Sequence, residues 1–452
     1  MVGNSLLRST VFILVGCALL GCSSNGTAPG QSTGGSTSAG ASGAPTSTGG
    51  SSGAGGSQVV ISGSGGSLGG STSGAGGSAG AVVTAGGGSS GAGSPNAGGD
   101  GGTMNALTPQ QVVKAMAPGW NLGNTFDADP NETSWGNPET TQAMIQAVHA
   151  AGFNTMRIPV TWTDHIGAAP AYTIDPAWMA KVKQVATWAN DAGMYAIVNT
   201  HHDADGQWIL FNDPNSTTLS ADHQAQITAK ISAVWTQIAT AFKSYGDHLI
   251  LECFNEPGGV NQYSGGDGPS RAILNSYLVA CMNAIRGTGS NNSTRYVMVQ
   301  GIGAGAVEVS IKAVVIPNDD PNVLFSVHNY FPYAFASAST TTWGTSAGDY
   351  TDMSNMLEQV LSWLPPSQGI VMGEWGSVSA DQLSSRVAYA SAYAQDITKA
   401  GMCPVVWDDG GDFVLLDRSS NPPSWKYPTI VSALISGYKA GAAPGAMYAQ
   451  SH

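Results

Sequence analysis

Residues 249–257 read LILECFNEP, and residues 370–376 read IVMGEWG. Each stretch starts with an apolar run that is typical of a buried strand, and each then places a glutamate in a turn that contains Pro or Gly. Apolar runs without alternation are expected where a parallel sheet is covered on both faces. Glu256 and Glu374 are therefore predicted to follow the carboxyl ends of two buried parallel strands.

Similar runs occur along the chain and bring the number of predicted strands to eight; they lie at residues 120–123, 155–158, 195–198, 296–299, 323–326 and 404–407. Helical patterns separate most of them, at 178–192, 224–245, 271–286 and 384–400, and Gly152, Gly193 and Gly401 mark helix ends. This alternation predicts a (β/α)8 barrel. An open doubly wound sheet is the alternative, but no Gly-rich phosphate loop follows the first strand.

The first 22 residues read as an export signal. Arg8 precedes an apolar core at residues 11–20, which is too short to span a bilayer as a mature helix. Residues 19–22 (LLGC) resemble a bacterial lipobox, in which Cys22 would become the lipidated first residue. Plain signal cleavage is the alternative. An Asp directly after the lipidated cysteine would resemble an inner-membrane retention signal, and this chain has Ser23 there. We therefore expect display at the outer membrane or cell surface.

Residues 23–105 consist almost entirely of Gly, Ser, Ala and Thr. Such a composition buries too little apolar surface to offset the entropy of ordering, which predicts a disordered linker. An ordered Gly-rich solenoid would need a regular repeat, and none is present. Residues 106–452 are then the catalytic domain.

The chain has a formal net charge of −13, which argues against a nucleic-acid partner and is compatible with a neutral polysaccharide. Three cysteines remain after the lipobox. Cys253 and Cys403 lie in predicted strands and are expected to be small core residues, and Cys281 lies in a predicted helix. Their spacing fits no metal site, and the sequence is compatible with one disulfide among them.

Barrel enzymes carry their catalytic groups at the carboxyl ends of the strands. Here those ends carry mainly polar side chains: Asn124, Arg157, His201, His202, Asp203, Asn255, Glu256, His328, Tyr330, Glu374 and Trp407. Two carboxylates at such a mouth can hydrolyse a glycosidic bond, since one protonates the leaving oxygen while the other attacks the anomeric carbon. A single glutamate at a strand end reads equally well as half of a structural salt bridge; two of them in matching turns favour catalysis.

The neighbouring residues receive supporting roles. Arg157 is predicted to pair with Glu374 and keep it ionised, although a structural bridge below the mouth is the alternative. Tyr330 is predicted to donate to the same carboxylate and His328 to bond a sugar hydroxyl, unless both are core residues. Trp407 is predicted to form the floor under the reacting sugar.

His201 and His202 raise the question of a metal. Adjacent residues point to opposite sides of a strand, and no further His or Cys completes a tetrahedral set. We therefore predict no metal and no cofactor, and we expect these histidines to bond sugar hydroxyls.

Taken together, the motifs resemble glycoside hydrolase family 5, and within it the bacterial endoglucanases of subfamily 4; the matching residues are 120–125 (WNLGNT), 135–138 (WGNP), 157–162 (RIPVTW), 199–203 (NTHHD), 254–257 (FNEP), 328–330 (HNY), 373–376 (GEWG) and 407–410 (WDDG). The resemblance implies Glu256 as acid/base and Glu374 as nucleophile, with Asn255 holding the sugar 2-hydroxyl. Members commonly have Asn where Asp409 stands and Arg where Gly258 stands. Asp409 is included among the expected substrate-binding residues.

The leading hypothesis is a monomeric, retaining endo-β-1,4-glucanase, lipid-anchored or otherwise secreted. A xyloglucanase or xylanase of the same family is one alternative. A non-catalytic glycan-binding lipoprotein is another, but both catalytic carboxylates are present. A barrel isomerase or aldolase would want a phosphate site or a Schiff-base lysine, and no lysine ends a predicted strand.

Overall fold

The computed structural model describes residues 102–204, 207–259, 261–364 and 367–446. The predicted signal with Cys22, and residues 23–101 of the predicted linker, lie outside the described residues. Among the helices that are described, none combines the length and apolar character needed to cross a membrane.

Eight parallel strands form a closed barrel in chain order, with β8 pairing back onto β1. The strands are β1 Gly119–Asn121, β2 Thr155–Ile158, β3 Tyr195–Asn199, β4 Leu249–Glu252, β5 Val297–Gly305, β6 Val323–His328, β7 Gly369–Glu374 and β8 Cys403–Val406. The predicted (β/α)8 barrel is confirmed. A two-stranded hairpin, β9 Leu416–Asp417 and β10 Ser424–Trp425, follows β8.

The helices are α1 Pro109–Met116, α2 Gln142–Ala150, α3 Pro176–Asp191, α4 Ala221–Phe242, α5 Gly268–Gly287, α6 Glu308–Lys312, α7 Tyr333–Ala336, α8 Ala347–Trp363, α9 Leu383–Lys399 and α10 Pro428–Gly441. The four predicted helices correspond to α3, α4, α5 and α9, with ends displaced by at most three residues. Gly152, Gly193 and Gly401 have φ of 104°, 85° and 74°, as expected for residues that end a helix in the left-handed conformation.

Helix α1 closes the amino end of the barrel. Thr108 caps it in a reciprocal capping box with Gln111, and Pro109 occupies the first turn, where its missing N–H costs nothing. Val112 and Met116 pack against inward-facing strand residues such as Ile250. The amino half of the barrel interior is therefore apolar.

The carboxyl half of the interior is polar. Side chains alternate along a strand, so the residue two positions after an inward apolar one also faces inward. Ile197 is followed in this way by Asn199, and Ile250 by Glu252; both polar side chains are fully buried. Arg157 belongs to the same buried layer. The site is thus assembled on a polar layer that lies just inside the barrel mouth.

A disulfide joins Cys253 to Cys281, with 6.1 Å between the Cα atoms. It connects the end of β4 to the middle of α5. Cys253 is buried in the core as expected, and the disulfide that the sequence left open joins it to Cys281, because the barrel packs α5 beside β4 and brings together two cysteines that lie 28 residues apart. Cys403 is buried, as predicted, and its thiol is free.

The folded domain begins before residue 106. The Asp247 amide donates to the carbonyl of Thr103 at 3.0 Å, and Asn105 Nδ2 donates to the Asp247 carboxylate at 2.6 Å. Asn291 Nδ2 donates to the carbonyl of Gly102 at 3.1 Å. Residues 102–105, predicted as linker, thus bond to the barrel. Their contacts are polar and leave no hydrophobic pattern in the sequence.

Candidate active site

The two glutamates lie at one barrel mouth, at the carboxyl ends of β4 and β7. Glu374 is the last residue of β7, and Glu256 follows β4 by four positions. The pairing of β6 with β7 shifts register after Val327, so that His328 lies beside Glu374 instead of Gly373. This irregularity places a histidine of β6 next to the carboxylate.

Glu374 is held by the two groups that the sequence predicts. Arg157 Nη1 donates to Oε1 at 2.8 Å, and the Tyr330 hydroxyl donates to Oε2 at 2.9 Å. The Glu374 side chain is 7% exposed, so both contacts lie out of bulk water. Charge-assisted bonds of this kind favour the ionised form of a carboxyl group.

Glu256 is the more exposed of the pair, with 19% of its side chain accessible. Its Oε1 lies 2.8 Å from His328 Nδ1, which in turn lies 3.6 Å from Glu374 Oε1. His328 thus contacts the Glu256 carboxyl group through Nδ1, and its expected bond to a sugar hydroxyl stays a prediction. Glu256 and Glu374 have carboxyl oxygens within 4.8 Å of each other. That spacing fits direct attack on the sugar and leaves little room for an intervening water.

Opposing effects act on the ionisation of Glu374. Burial raises the pKa of its carboxyl group, and the neighbouring Glu256 adds to the rise. His328, Arg157 and the Tyr330 hydroxyl oppose the rise, and the net pKa stays above the ordinary value for glutamate. The ionised form of Glu374 therefore depends on its donors.

Burial also shifts the two side chains that contact the carboxylates. It lowers the pKa of His328, and the charge of Glu374 opposes that shift. Burial and then Glu374 raise the pKa of Tyr330 well above its usual value, so its hydroxyl keeps its proton.

Arg157 has more partners than the sequence predicted. Besides Glu374, its Nε donates to Glu252 Oε2 at 2.8 Å, Nη1 to Asn121 Oδ1 at 2.9 Å and Nη2 to Asn255 Oδ1 at 2.7 Å. Burial opposes the guanidinium charge, but Glu252 and Glu374 outweigh burial and raise the pKa of Arg157. Glu252 and Asn121 were missed. The available signal was a charged or amide residue at an inward position of an otherwise apolar strand.

Asn255 is oriented by the same arginine. Because its Oδ1 accepts from Arg157, the amide can offer only Nδ2 donors to a ligand. This agrees with the expected contact to a sugar 2-hydroxyl oxygen.

His201 and His202 do not point apart as predicted. Strand β3 ends at Asn199, and in the turn that follows the two rings meet edge to face, 4.5 Å apart. The strand alternation behind the prediction therefore does not apply. His201 also lies parallel to Trp407 at 6.0 Å, and His202 lies 5.4 Å from Trp135.

Within the described part of the chain, two groups of side chains have donor atoms close enough to hold a metal ion: Asp127 with His201 and His202, and Glu256 with His328 and Glu374. In the first, Asn199 Nδ2 lies 3.2 Å from His201 Nδ1. An amide nitrogen only donates, so that ring nitrogen is already engaged as an acceptor. In the second, Arg157 and Tyr330 already occupy the oxygens of Glu374. The absence of a metal remains a prediction.

Trp407 lies where a sugar-ring floor was predicted. It ends the run that begins with β8, is 9% exposed and packs on the backbone of Gly123, where an added Cβ would stand 2.6 Å from the ring. Asn124 next to it has a positive φ of 52° and donates its amide to Asp127 at 3.0 Å.

Asp409 serves first to shape its own loop. Its Oδ1 accepts the amides of Gly411 at 2.7 Å and Phe413 at 2.9 Å. An asparagine Oδ1 would accept the same two bonds, so the difference between Asp and Asn lies at the other side-chain atom. Burial raises the pKa of the Asp409 carboxyl group.

The space beside Gly258 is filled by Gln262. A Cβ at position 258 would stand within 2.6 Å of that glutamine side chain, whose Nε2 donates to the carbonyl of Glu256 at 3.0 Å. Gln262 thus occupies the room beside Glu256 at the position where the family resemblance leads us to expect Arg.

Comparison with known proteins agrees with this geometry. The family model described as cellulase (glycosyl hydrolase family 5) matches residues 121–412. Endoglucanase B from Clostridium cellulovorans is 42% identical over 347 residues, which cover 73% of this chain and 76% of that protein. Among solved structures, a GH5-4 broad specificity endoglucanase from Clostridium acetobutylicum has 40% identity and a TM-score of 0.68, covering 73% of this chain and 99% of that one.

A structure named ZgEngAGH5_4, solved in complex with a cellotriose, has 38% identity and a TM-score of 0.69, over 74% of this chain and 99% of that one. The barrel, the paired carboxylates and the matched sequence point to one conclusion. The chain belongs to glycosyl hydrolase family 5, the cellulase family, and it is a glycoside hydrolase whose relatives include subfamily 4 endoglucanases.

Proposed function

We propose that this protein is a retaining endo-β-1,4-glucanase that hydrolyses internal bonds of cellulose-like or mixed-linkage β-glucans. The observation that carries the proposal is the pair formed by Glu256 and Glu374, whose carboxyl oxygens approach within 4.8 Å at one barrel mouth. The endoglucanase names of the relatives support the substrate class.

In the proposed reaction Glu374 attacks the anomeric carbon while Glu256 gives its proton to the departing glycosidic oxygen. The glycosyl–Glu374 ester is then hydrolysed by water, which loses its proton to Glu256 as the ester bond breaks. Arg157 and Tyr330 hold Glu374 ionised before attack and stabilise it again as it leaves. Asn255 donates through Nδ2 to the sugar 2-hydroxyl oxygen.

The two glutamates are distinguished by leaving-group dependence. Glu374→Ala should abolish turnover of every substrate. Glu256→Ala should lose more on polymeric glucan than on a dinitrophenyl cellobioside, since an activated leaving group needs little protonation. Glu358→Ala, at an exposed site on α8, is the matched control and should keep full activity. Equal losses from both active-site changes on the activated substrate, without an accumulated ester, would reject these roles.

Stereochemistry tests the mechanism independently. Proton NMR of a fresh digest should show the β-anomer first, because two displacements restore the original configuration. An α-anomer that appears before mutarotation would mean inversion. Rates on a panel of carboxymethylcellulose, mixed-linkage glucan, xyloglucan and xylan then test the substrate class, and activity on xyloglucan or xylan alone would reject it.

We also propose that the protein is exported and anchored through a lipid on Cys22. Residues 19–22 resemble a lipobox. The Cys253–Cys281 disulfide supports an oxidising location, since such bonds are rare in the cytosol. Cys22→Ser should move the protein from the detergent-extracted membrane fraction to the soluble fraction. Wild-type protein that is wholly soluble, with a different amino terminus, would reject the anchor.

A further inference from the structure

We propose that Glu252, a fully buried carboxylate on β4, is a positioning residue that holds two arms of the active site at once. One arm runs through Arg157 to the nucleophile, and the other runs through Asn199 to His201. The inference rests on the proposed function, because it assigns a role within that same reaction.

Glu252 is the last residue of β4, four positions before Glu256, and its side chain has no exposed surface. A single oxygen, Oε2, accepts from Arg157 Nε at 2.8 Å and from Asn199 Nδ2 at 3.0 Å. The other oxygen, Oε1, is buried without a protein partner. A buried carboxylate is costly unless it is well paired, so stability alone is a weak reason to place one here.

The first arm fixes the direction of the Arg157 fork. The guanidinium group is planar, so holding Nε at Glu252 also sets where Nη1 and Nη2 point. Nη1 then meets Glu374 Oε1 at 2.8 Å and Nη2 meets Asn255 Oδ1 at 2.7 Å. Loss of Glu252 would leave Arg157 Nε without this partner and weaken the contacts of the guanidinium group with Glu374 and Asn255.

The second arm sets the tautomer of His201. Asn199 Oδ1 accepts the amide of Val160 at 2.9 Å and Nδ2 donates to Glu252 at 3.0 Å, and the two bonds together keep the amide group from turning over. In this orientation Nδ2 also donates, at 3.2 Å, to His201 Nδ1. With Nδ1 accepting, the neutral ring carries its proton on Nε2. Burial, with His202 and Arg157 adding to the effect, lowers the pKa of His201 well below its ordinary value, so the ring stays neutral.

Glu252 also shares the charge of Arg157 between two carboxylates. The charged and titratable groups around Glu374 are His328, Arg157, Glu256 and Tyr330. Without the Glu252 charge, Glu374 would be the only carboxylate that pairs with Arg157. The positive charge would then stabilise the ionised form of Glu374 more strongly and lower its pKa. The acidic limb of kcat/KM reports this group, so the limb should move to lower pH.

The experiment compares three variants in the full-length protein. In E252Q the amide oxygen can still accept both bonds while the charge is lost. The expected result is an acidic limb of kcat/KM moved down by about one pH unit, with the fold retained. E252D keeps the charge, but its side chain is one methylene shorter and no longer reaches Arg157 and Asn199. We expect kcat to fall on the order of 100-fold and the acidic limb of kcat/KM to stay in place. Glu358→Ala, at an exposed site on α8, is the control and should match wild type in both measurements.

A measurement that does not require turnover tests the link from Glu252 through Asn199 to His201. The ring nitrogen-15 shifts of His201 should show Nε2–H in the wild type and a mixture of tautomers in Glu252→Ala, where Asn199 has lost its acceptor. If wild type fails to hydrolyse any β-glucan, the proposed function fails while this NMR measurement still tests the positioning. An unchanged His201 tautomer in Glu252→Ala, or an E252Q acidic limb identical to wild type, would overturn the role of Glu252.

Discussion

At the residue scale, Glu374 shows how a buried carboxylate is kept ready to attack. Burial raises the pKa of its carboxyl group, and only His328, Arg157 and Tyr330 oppose that rise. Each oxygen has its own donor, with Arg157 on Oε1 and Tyr330 on Oε2. The nucleophile is therefore poised by a balance in which each donor is individually measurable.

Tyr330→Phe should shift the acidic limb of kcat/KM to higher pH. Loss of the hydroxyl removes one of the contacts that lower the pKa of Glu374, so the nucleophile is protonated at a higher pH than in the wild type. A lost bond to a charged group should also reduce kcat/KM about 10- to 100-fold. Tyr389→Phe removes an equally buried hydroxyl that donates to the carbonyl of Phe331, and it should leave the limb in place. A limb that does not move in Tyr330→Phe would contradict this account.

Asp409→Asn should stabilise the protein at neutral pH. The folded-state pKa of Asp409 is raised by burial, so its contribution to stability is complete only below the ordinary carboxyl pKa and is lost as pH rises through the folded value. Thermal unfolding should show a higher Tm for the variant at pH 7 and no difference in acid.

Asp408→Asn is the contrasting control for this change. Asp408 pairs with Arg418 at 3.2 Å and accepts from Trp120 Nε1 at 3.0 Å, so its replacement should lower the Tm at pH 7. A Tm difference between Asp409→Asn and wild type that is the same at every pH would rule out the role given to the Asp409 charge.

At the element scale, β4 and α5 are joined by more than packing. The Cys253–Cys281 disulfide ties the end of β4 to α5, three residues before Glu256. The register shift between β6 and β7 brings His328 beside Glu374. Small covalent and register features thus set where the two carboxylates stand.

Replacing both Cys253 and Cys281 with Ala should lower the free energy of unfolding by about 2–4 kcal/mol, as is typical for a lost disulfide. Dithiothreitol should lower the Tm of the wild type and have no effect on the double variant. Cys403→Ala, which removes the buried free thiol, should keep the response to dithiothreitol. A wild type whose Tm ignores complete reduction would show that the bond contributes nothing.

At the scale of the whole molecule, the two ends of the barrel differ in composition and in role. Helix α1 and the inner apolar side chains close the amino end, while the buried polar layer carries the site at the carboxyl end. The first described residues belong to this body, because Thr103 and Asn105 bond to Asp247.

Removal of residues 1–101 should leave Tm and kcat nearly unchanged, since residues 1–22 are the predicted export signal and residues 23–101 have little apolar surface to pack. Removal of residues 1–107 should cost about 1–3 kcal/mol of unfolding free energy. The longer deletion takes away the acceptor of the Tyr296 hydroxyl, the carbonyl of Leu107, and leaves Asp247 without Asn105. Equal stability of the two truncated forms would show that residues 102–107 do not contribute.

The sequence by itself determined the barrel, the two glutamates and two of their donors. Strand runs and glycine stops are local signals, and the carboxyl ends of parallel strands must meet at one mouth, so Arg157 and Tyr330 could be assigned to Glu374 in advance. Only the tertiary structure decided the Cys253–Cys281 bond, the contact of His328 with Glu256 and the part of Glu252. The first two depend on which helix lies beside a strand and on a one-residue register shift, which leave no pattern in the local sequence, whereas Glu252 left one signal, a charged residue at an inward position of an apolar strand, whose partners only the fold supplies.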